Sequence, residues 1–290
     1  MSALSAITLY AHTASKDFER KVQAATQLLR LAAQDFPPST LTQASSLGAE
    51  DMVVTDLLQK TGVACSIFVL DTGLLHPETV ALIDRLQTHY QRSVDVYQPD
   101  STAAAAFVAH NGADAMYTSV DLRKACCDLR KMQPLAQALV GKAAWITGLR
   151  REQSNARAEV HAREQQAITV DNQGSQDSQA STRTKLNPLH DWTWGDVWHY
   201  IALHQVPHNP LHDQFYPSIG CAPCTRAVTL GENPRSGRWW WESASAKECG
   251  LHVDGLARPV TSDLARPNAV TALFSALPAQ ASTLPQKETL

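Results

Sequence analysis

The sequence predicts an α/β protein built on a doubly wound, mostly parallel sheet. Three observations carry that expectation. Compact apolar runs alternate with stretches of helical period, Gly, Pro or Asp marks the joins between them, and three polar loops fall where apolar runs end. With 290 residues, 44% apolar and 18% charged, the chain has ample material for a core. A single α/β domain is expected over residues 1–257, its first 40 residues helical. The Ala/Pro/Ser/Thr-rich stretch 258–290 is expected to be a flexible tail.

Ser15 to Phe36 reads as the first helix, capped by Ser15 and stopped by Pro37-Pro38. Leu41 to Ser45 is a short strand entering the turn Ser46-Leu47-Gly48-Ala49. Glu50 to Lys60 follows as a helix, with Met52, Val53, Leu57 and Leu58 at helical spacing and Gly62 closing it. Val63 to Leu70 is an apolar run suited to a strand buried on both faces, with Cys65 as a small core residue. After the loop Asp71-Thr72-Gly73, Pro77 opens a helix whose Val80, Ile83, Leu86 and Tyr90 share a face. Ser93 to Tyr97 and Ala143 to Thr147 are further strands. Asp171 to Thr182, rich in Gln, Ser and Asp, reads as a flexible surface loop. Thr193 starts a helix with Asp196 completing a capping box and Val197, Trp198, Ile201 and Ala202 on its apolar side.

In a doubly wound sheet, ligands bind beyond the carboxyl ends of the strands. The loops Ser45–Asp51, Asp71–Gly73 and Gly148–Ser154 fall at those ends. The first, Ser45-Ser46-Leu47-Gly48-Ala49-Glu50-Asp51, joins a strand to a helix, so its backbone N–H groups can cradle an anion. It lacks the Gly-Lys-Ser/Thr ending of a P-loop, which argues against a triphosphate held with magnesium.

A net charge of −3 makes no case for a nucleic-acid partner. No run approaches the ~20 apolar residues that span a bilayer. Met1 to Tyr10 has neither the basic region nor the apolar block of a secretory signal, so the cytoplasm is the expected compartment. In a reducing compartment, six cysteines point to ligands or reactive thiols rather than disulfides.

Cys126-Cys127 lies in a helical segment, Ser119 to Met132, and Cys221-Ala222-Pro223-Cys224 follows far downstream. Two close pairs of this kind hold either a zinc ion or an iron–sulfur cluster. Adjacent cysteines on a helix diverge by roughly 100°, which suits an object several ångströms across better than one ion. Arg130 and Lys131, each four residues after a cysteine, lie on the same faces and would offset the charge of a four-thiolate cluster. Cys249 stands in Lys247-Glu248-Cys249-Gly250-Leu251-His252, where Lys247 and His252 are local candidates to lower its pKa. No cysteine lies downstream of it. An adduct on Cys249 therefore calls for a resolving thiol from another molecule. Two arginine groups, Arg150-Arg151 (with Arg157 close behind) and Arg235-Ser236-Gly237-Arg238, offer planar forks that match phosphate and sulfate oxygens. Trp239-Trp240-Trp241, next in line, reads mainly as packing.

These residues together resemble the assimilatory adenylyl-sulfate and phosphoadenylyl-sulfate reductases, near the bacterial cluster-containing branch. The likeness runs from about Ala44 to His252. It covers the Ser45–Asp51 loop, Leu70-Asp71-Thr72-Gly73, Cys126-Cys127 with Arg130-Lys131, Gly148-Leu149-Arg150-Arg151, Tyr216 to Arg226, and Glu248 to His252. The resemblance implies a sheet of the adenine-nucleotide α-hydrolase-like type, with a C-terminal segment carrying the catalytic Cys249. It implies a 4Fe–4S cluster on Cys126, Cys127, Cys221 and Cys224. The substrate contacts expected are Ser45, Ser46, Gly48, Glu50, Asp51, Asp71, Thr72, Gly73, Lys131, Arg150, Arg151, Arg235, Arg238 and His252. The resemblance also implies that the cysteine pairs mark the branch that takes adenylyl sulfate, with thioredoxin or glutaredoxin as external dithiol donor; a homo-oligomer is the further partner allowed for. The rivals are a phosphoadenylyl-sulfate reductase, a sulfur-inserting tRNA enzyme or ATP sulfurylase subunit on the same sheet, and a zinc-stabilised nucleotide-binding module. The missing ATP loop and the lack of a basic surface count against the tRNA enzyme and the sulfurylase.

Overall fold

The computed structural model describes residues 5–170 and 179–243. A short helix, α1 (Ala6–Tyr10), precedes the long α2 (Phe18–Asp35), which buries Phe18, Ala25, Leu29 and Ala32 along one stripe. The helix begins three residues later than expected because Ser15 is engaged elsewhere. Its N–H and hydroxyl both donate to Asp196 Oδ1, at 2.7 and 2.8 Å. β1 (Leu41–Ser45) and α3 (Ala49–Thr61) follow, and Gly62 ends α3 in the left-handed conformation (φ 68°).

β2 is shorter than its apolar run, covering Ser66–Leu70, because Val63 N–H turns back to bond Leu58 O at the end of α3. In α4 (Pro77–Tyr90) the buried set is Thr79, Leu82, Ile83, Leu86 and Tyr90. Val80, expected on that face, is 44% exposed, and Leu82 takes its place. β3 (Asp95–Tyr97), α5 (Ser101–Asn111), α6 (Ala115–Thr118) and α7 (Val120–Cys127) come next. A single π-helical turn, Asp128–Met132, then joins α7 to α8 (Gln133–Ala138). After β4 (Ala144–Ile146), the chain forms an antiparallel pair, β5 (Arg163–Val170) and β6 (Gln179–Leu186). Residues 179–182, expected in a loop, belong to β6. α9 (Trp194–His204) carries the expected capping box. Asp196 N–H donates to Thr193 Oγ1 at 3.0 Å, and Thr193 N–H donates to Asp196 Oδ2 at 2.8 Å.

The six strands order as β3-β2-β1-β4-β6-β5, all parallel except β5. The order reverses between β1 and β4, so the crevice beyond their carboxyl ends is the switch point where ligands bind in such sheets. One core packs α2, α3 and α9 residues such as Leu29, Met52, Leu57, Trp198 and Ile201 against the sheet. A smaller one joins Phe68 and Trp145 of the strands to Leu135, Ala138 and Leu139 at α8. A third, away from the sheet, gathers Phe107, Met116, Leu129 and Trp239 around Cys126, Cys221 and Cys224. Among the described residues, no helix is long and apolar enough to cross a membrane.

Candidate active site

The loop from β1 to α3 turns on Leu47, a non-glycine residue at φ 60° whose side chain is fully buried. Core packing holds it in this costly left-handed conformation, as is common where a loop must present its backbone to a ligand. Asp51 ties this loop to the one after β4. Its Oδ2 accepts from Ser46 N–H (2.7 Å) and Ser46 Oγ (2.6 Å), and its Oδ1 accepts from Gly148 N–H (2.9 Å). Burial pushes the Asp51 carboxyl up to about 6, against the pull of the Ser46 and Gly148 donors. Gly148 has no room for a side chain. A Cβ there would stand 2.5 Å from Asp51 Oδ1 and 3.0 Å from Asp51 N.

Glu50, next to it, is clamped on the other side. Its Oε1 accepts from Arg150 Nε (3.0 Å), Arg150 Nη2 (2.8 Å) and Gln153 Nε2 (3.0 Å). Burial alone would raise the Glu50 pKa, but the Arg150 charge and these hydrogen bonds hold it below the ordinary carboxylate value. Arg150 also donates to Glu152 and to Trp192 O, and its guanidinium lies 5.4 Å from the Trp194 ring centre. It is 4% exposed. Every arm of the fork is occupied within the protein.

Between these loops opens the larger of the site's two pockets. Its apolar floor is Phe68, Leu70, Leu75, Leu135 and Trp145, and its polar rim is Ser45, Ser46, Asp51, Gly148, Gln153 and Arg157. An apolar slot edged by hydroxyls, N–H groups and a guanidinium suits a flat heteroaromatic ring joined to an anionic group.

The cysteine pairs meet beside it. Cys126, Cys127, Cys221 and Cys224 line one small pocket, together with Arg123, Arg130 and Lys131. Backbone bonds fix the second pair: Ala222 N–H donates to Leu74 O (2.7 Å), Leu75 and Cys221 form a one-residue antiparallel bridge, and Trp239 N–H donates to Cys224 O (3.2 Å). Thr72 Oγ1 is 3.3 Å from Cys221 Sγ, and its carbonyl accepts from Arg130 Nη1 at 2.8 Å. Asp71 shapes that loop by accepting from Gly73 N–H (2.9 Å) and Gln98 Nε2 (2.7 Å). Burial, then the neighbouring Cys221, pushes the Cys224 thiol up to about 12, while Arg238 and Lys131 oppose the rise. The Cys126 thiol is also raised, chiefly by burial. Three buried thiols and the half-buried Cys127, crowded in this way, become thiolates only when a positive centre compensates them. Among the described residues, no three His, Cys, Asp or Glu side chains close on a single ion. Lys131 lines both pockets.

The phosphoadenosine phosphosulfate reductase domain matches residues 40–227, which hold both cysteine pairs and all six strands of the sheet. The chain belongs to that family. Its relatives include the adenosine 5′-phosphosulfate reductase of Allochromatium vinosum, 48% identical over 79% of this chain and 84% of that one. That of Burkholderia cepacia is 50% identical over 72% and 79%. Among solved structures, the phosphoadenylyl-sulfate reductase of Candida auris, in a phosphate complex, aligns with a TM-score of 0.55 at 26% identity, over 74% of this chain and 98% of that one. The FMN adenylyltransferase of Candida glabrata shares the fold at 13% identity, with a TM-score of 0.51 over 92% and 88%.

The remaining expected site residues of this reductase-family chain distribute as follows. Ser45, Ser46, Glu50 and Asp51 line the larger pocket, with Gly48 capping α3 behind them. Arg151 is exposed, bonding Val160 O through Nε (2.8 Å), outside the residues that line either pocket. Arg235 sits in a turn after Asn233, whose Oδ1 accepts its N–H at 2.9 Å. Arg238 is buried, donating to Ile219 O (3.1 Å) with its guanidinium 4.7 Å from the Trp239 ring centre. It packs so closely on Gly220 that a Cβ there would have to displace the guanidinium. Cys249 and His252 lie outside the described residues. Cys65 is half-buried against the core edge, with Arg92 on its carbonyl at 2.6 Å. Sequence reasoning missed the pocket floor, because Phe68, Leu135 and Trp145 come from three elements and share no motif. It also missed Arg123, although an arginine three residues before Cys126 lies on the same helical face.

Proposed function

We propose that this reductase converts adenylyl sulfate to sulfite and AMP, in the cytoplasm, with thioredoxin or glutaredoxin as dithiol donor. The observation that carries the proposal is Lys131, which lines both the slot at the strand ends and the four-cysteine pocket. In the proposed reaction, the Cys249 thiolate attacks the sulfur of adenylyl sulfate. The bond from sulfur to the bridging oxygen breaks, AMP leaves with its electron pair, and Cys249 carries an S-sulfonate. One thiol of the donor attacks Cys249 Sγ and sulfite leaves. The donor passes to a disulfide and Cys249 returns to a thiol.

The adenine ring fits the apolar floor, and the loop N–H groups after Ser45 and the Arg157 guanidinium face its anionic end. Lys131, Arg235, Arg238 and His252 would meet the phosphosulfate and offset charge developing on the leaving phosphate. Arg150 serves the pocket through Glu50 instead, since its fork is already filled. Cys126, Cys127, Cys221 and Cys224 would hold a 4Fe–4S cluster, which when bound supplies charge and a rigid centre rather than electrons, because a dithiol already brings two. The cavity between the thiols and the surrounding Arg123, Arg130 and Lys131 support that assignment.

The phosphoadenylyl-sulfate alternative fits less well. The relatives named for adenosine 5′-phosphosulfate reach 50% identity, whereas the phosphoadenylyl-sulfate reductase structure is 26% identical. The test compares sulfite release from the two nucleotides with thioredoxin, alongside iron content after anaerobic purification. Faster turnover of adenylyl sulfate and a brown, iron-bearing protein are expected. A Cys249→Ser variant that still releases sulfite would sink the scheme.

A further inference from the structure

Gln153, in the loop after β4, meets four partners at once. Its Nε2 donates to Glu50 Oε1 (3.0 Å) and to Gly148 O (3.4 Å). Its Oε1 accepts from Arg157 Nη1 (2.5 Å) and from Arg150 N–H (3.3 Å). A side-chain amide has two ends of similar shape and opposite polarity, one that only donates and one that only accepts. Against the effect of burial, the Arg150 charge and the Gln153 amide hold the Glu50 carboxyl below its ordinary value. Glu50 is therefore ionised and only accepts, as does the Gly148 carbonyl. The Arg157 guanidinium and the Arg150 N–H only donate. One orientation of the amide satisfies all four partners, and the flipped amide satisfies none.

The consequence falls on Arg157. This arginine is buried, at the end of the short turn Asn155–Arg157, and it lines the larger pocket together with Glu50 and Gln153. A long side chain that a ligand must order on arrival weakens binding by the rotamer freedom it loses, and a chain ordered beforehand does not. The contacts run in series, from Arg150 to Glu50, from Glu50 to Gln153 and from Gln153 to Arg157. We infer that Gln153 is a positioning residue, which aims the Arg157 guanidinium at the phosphate of an adenine nucleotide before the ligand arrives. The charge on Glu50 decides which way Gln153 points. The inference rests on the reading of the larger pocket as the nucleotide slot and deepens it.

The test measures the binding of AMP and of adenosine to the full chain, purified anaerobically, by calorimetric titration. The two ligands differ by the phosphate alone, so a residue that acts through Arg157 moves the first and spares the second. The variants are Gln153→Met, which keeps the length and removes both ends of the amide, Arg157→Met, and the two combined. Gln153→Asn, shorter by one methylene, takes the place of Gln153→Met if that variant does not fold. Gln153→Met is expected to weaken AMP by roughly 10- to 100-fold, the range for losing a hydrogen bond to a charged group. Adenosine affinity is expected to stay unchanged, and Gln153→Met to add nothing further once Arg157 is replaced. Wild-type AMP affinity in Gln153→Met overturns the inference. A loss shared equally by AMP and adenosine also overturns it, because loop packing would then be the cause. So does a loss that persists in full in the Arg157→Met background. AMP affinity left at the wild-type value by Arg157→Met, or a wild-type chain that binds no AMP, instead overturns the reading of the slot, a result separable from the others.

Discussion

Arg150 sets its Nε and Nη2 on one oxygen of Glu50, at 3.0 and 2.8 Å, across the mouth of the larger pocket. The contact joins the loop after β4 to the first turn of α3. It makes Arg150, one of the arginines expected at the substrate, part of the frame around the pocket as well.

Removing that arginine strands a buried carboxylate. Arg150→Ala is expected to destabilise the fold by about 3–5 kcal/mol, the range for breaking one side of a buried pair. Replacing both partners, as in Glu50→Leu with Arg150→Met, should restore most of the loss. Thermal midpoints of the two variants, measured anaerobically, check this. Equal losses in the single and double variants would contradict it.

Gly148→Ala attacks the same frame from the backbone. The new methyl would stand 2.5 Å from Asp51 Oδ1, 2.8 Å from Glu50 Cβ and 3.0 Å from Asp51 N, so the two loops must part. Overpacking of this kind costs about 1–3 kcal/mol. The Gly148 N–H bond to Asp51 is expected to break as well, with AMP affinity falling about tenfold or more, as calorimetric titration would show.

His212 makes stability sensitive to acid. Its Nδ1 is 2.8 Å from Tyr216 O, its Nε2 is buried without a partner, and its ring packs on Trp194 and Trp198. Burial holds its pKa at about 4, against an ordinary 6.5. The folded pKa lies below the unfolded one, so as pH falls from 6.5 the unfolded chain takes up the proton first. The stability His212 contributes is thus complete above pH 6.5 and lost as pH falls towards 4, by up to about 3 kcal/mol. A His212→Gln variant should show a smaller drop in thermal midpoint between pH 7 and pH 5 than the wild type.

Local signals were the legible ones. β1, the Gly62 stop and the Thr193–Asp196 box are each encoded within a few residues, and the structure has all three. The β5–β6 pair was hidden because Arg163-Glu164-Gln165-Gln166 is polar, as an edge strand is, and so carries no apolar run. Val80 lost its place to Leu82 because a stripe of helical period does not reveal which of its neighbours faces the sheet. At the site, motifs pointed to the loops and to both cysteine pairs. They were silent on the pocket floor and on the partners of Arg150, which are contacts made across the fold between distant stretches of chain.

The distance in sequence between the cysteine pairs has a consequence for order in time. Cys126 and Cys127 leave the ribosome long before Cys221 and Cys224, and the latter take their places only once they bond Leu74 and the turn at Trp239. A group gripped by all four thiols is therefore captured after synthesis of this region is complete. On the proposed cluster assignment, the first pair would wait until then as adjacent free thiols, open to oxidation.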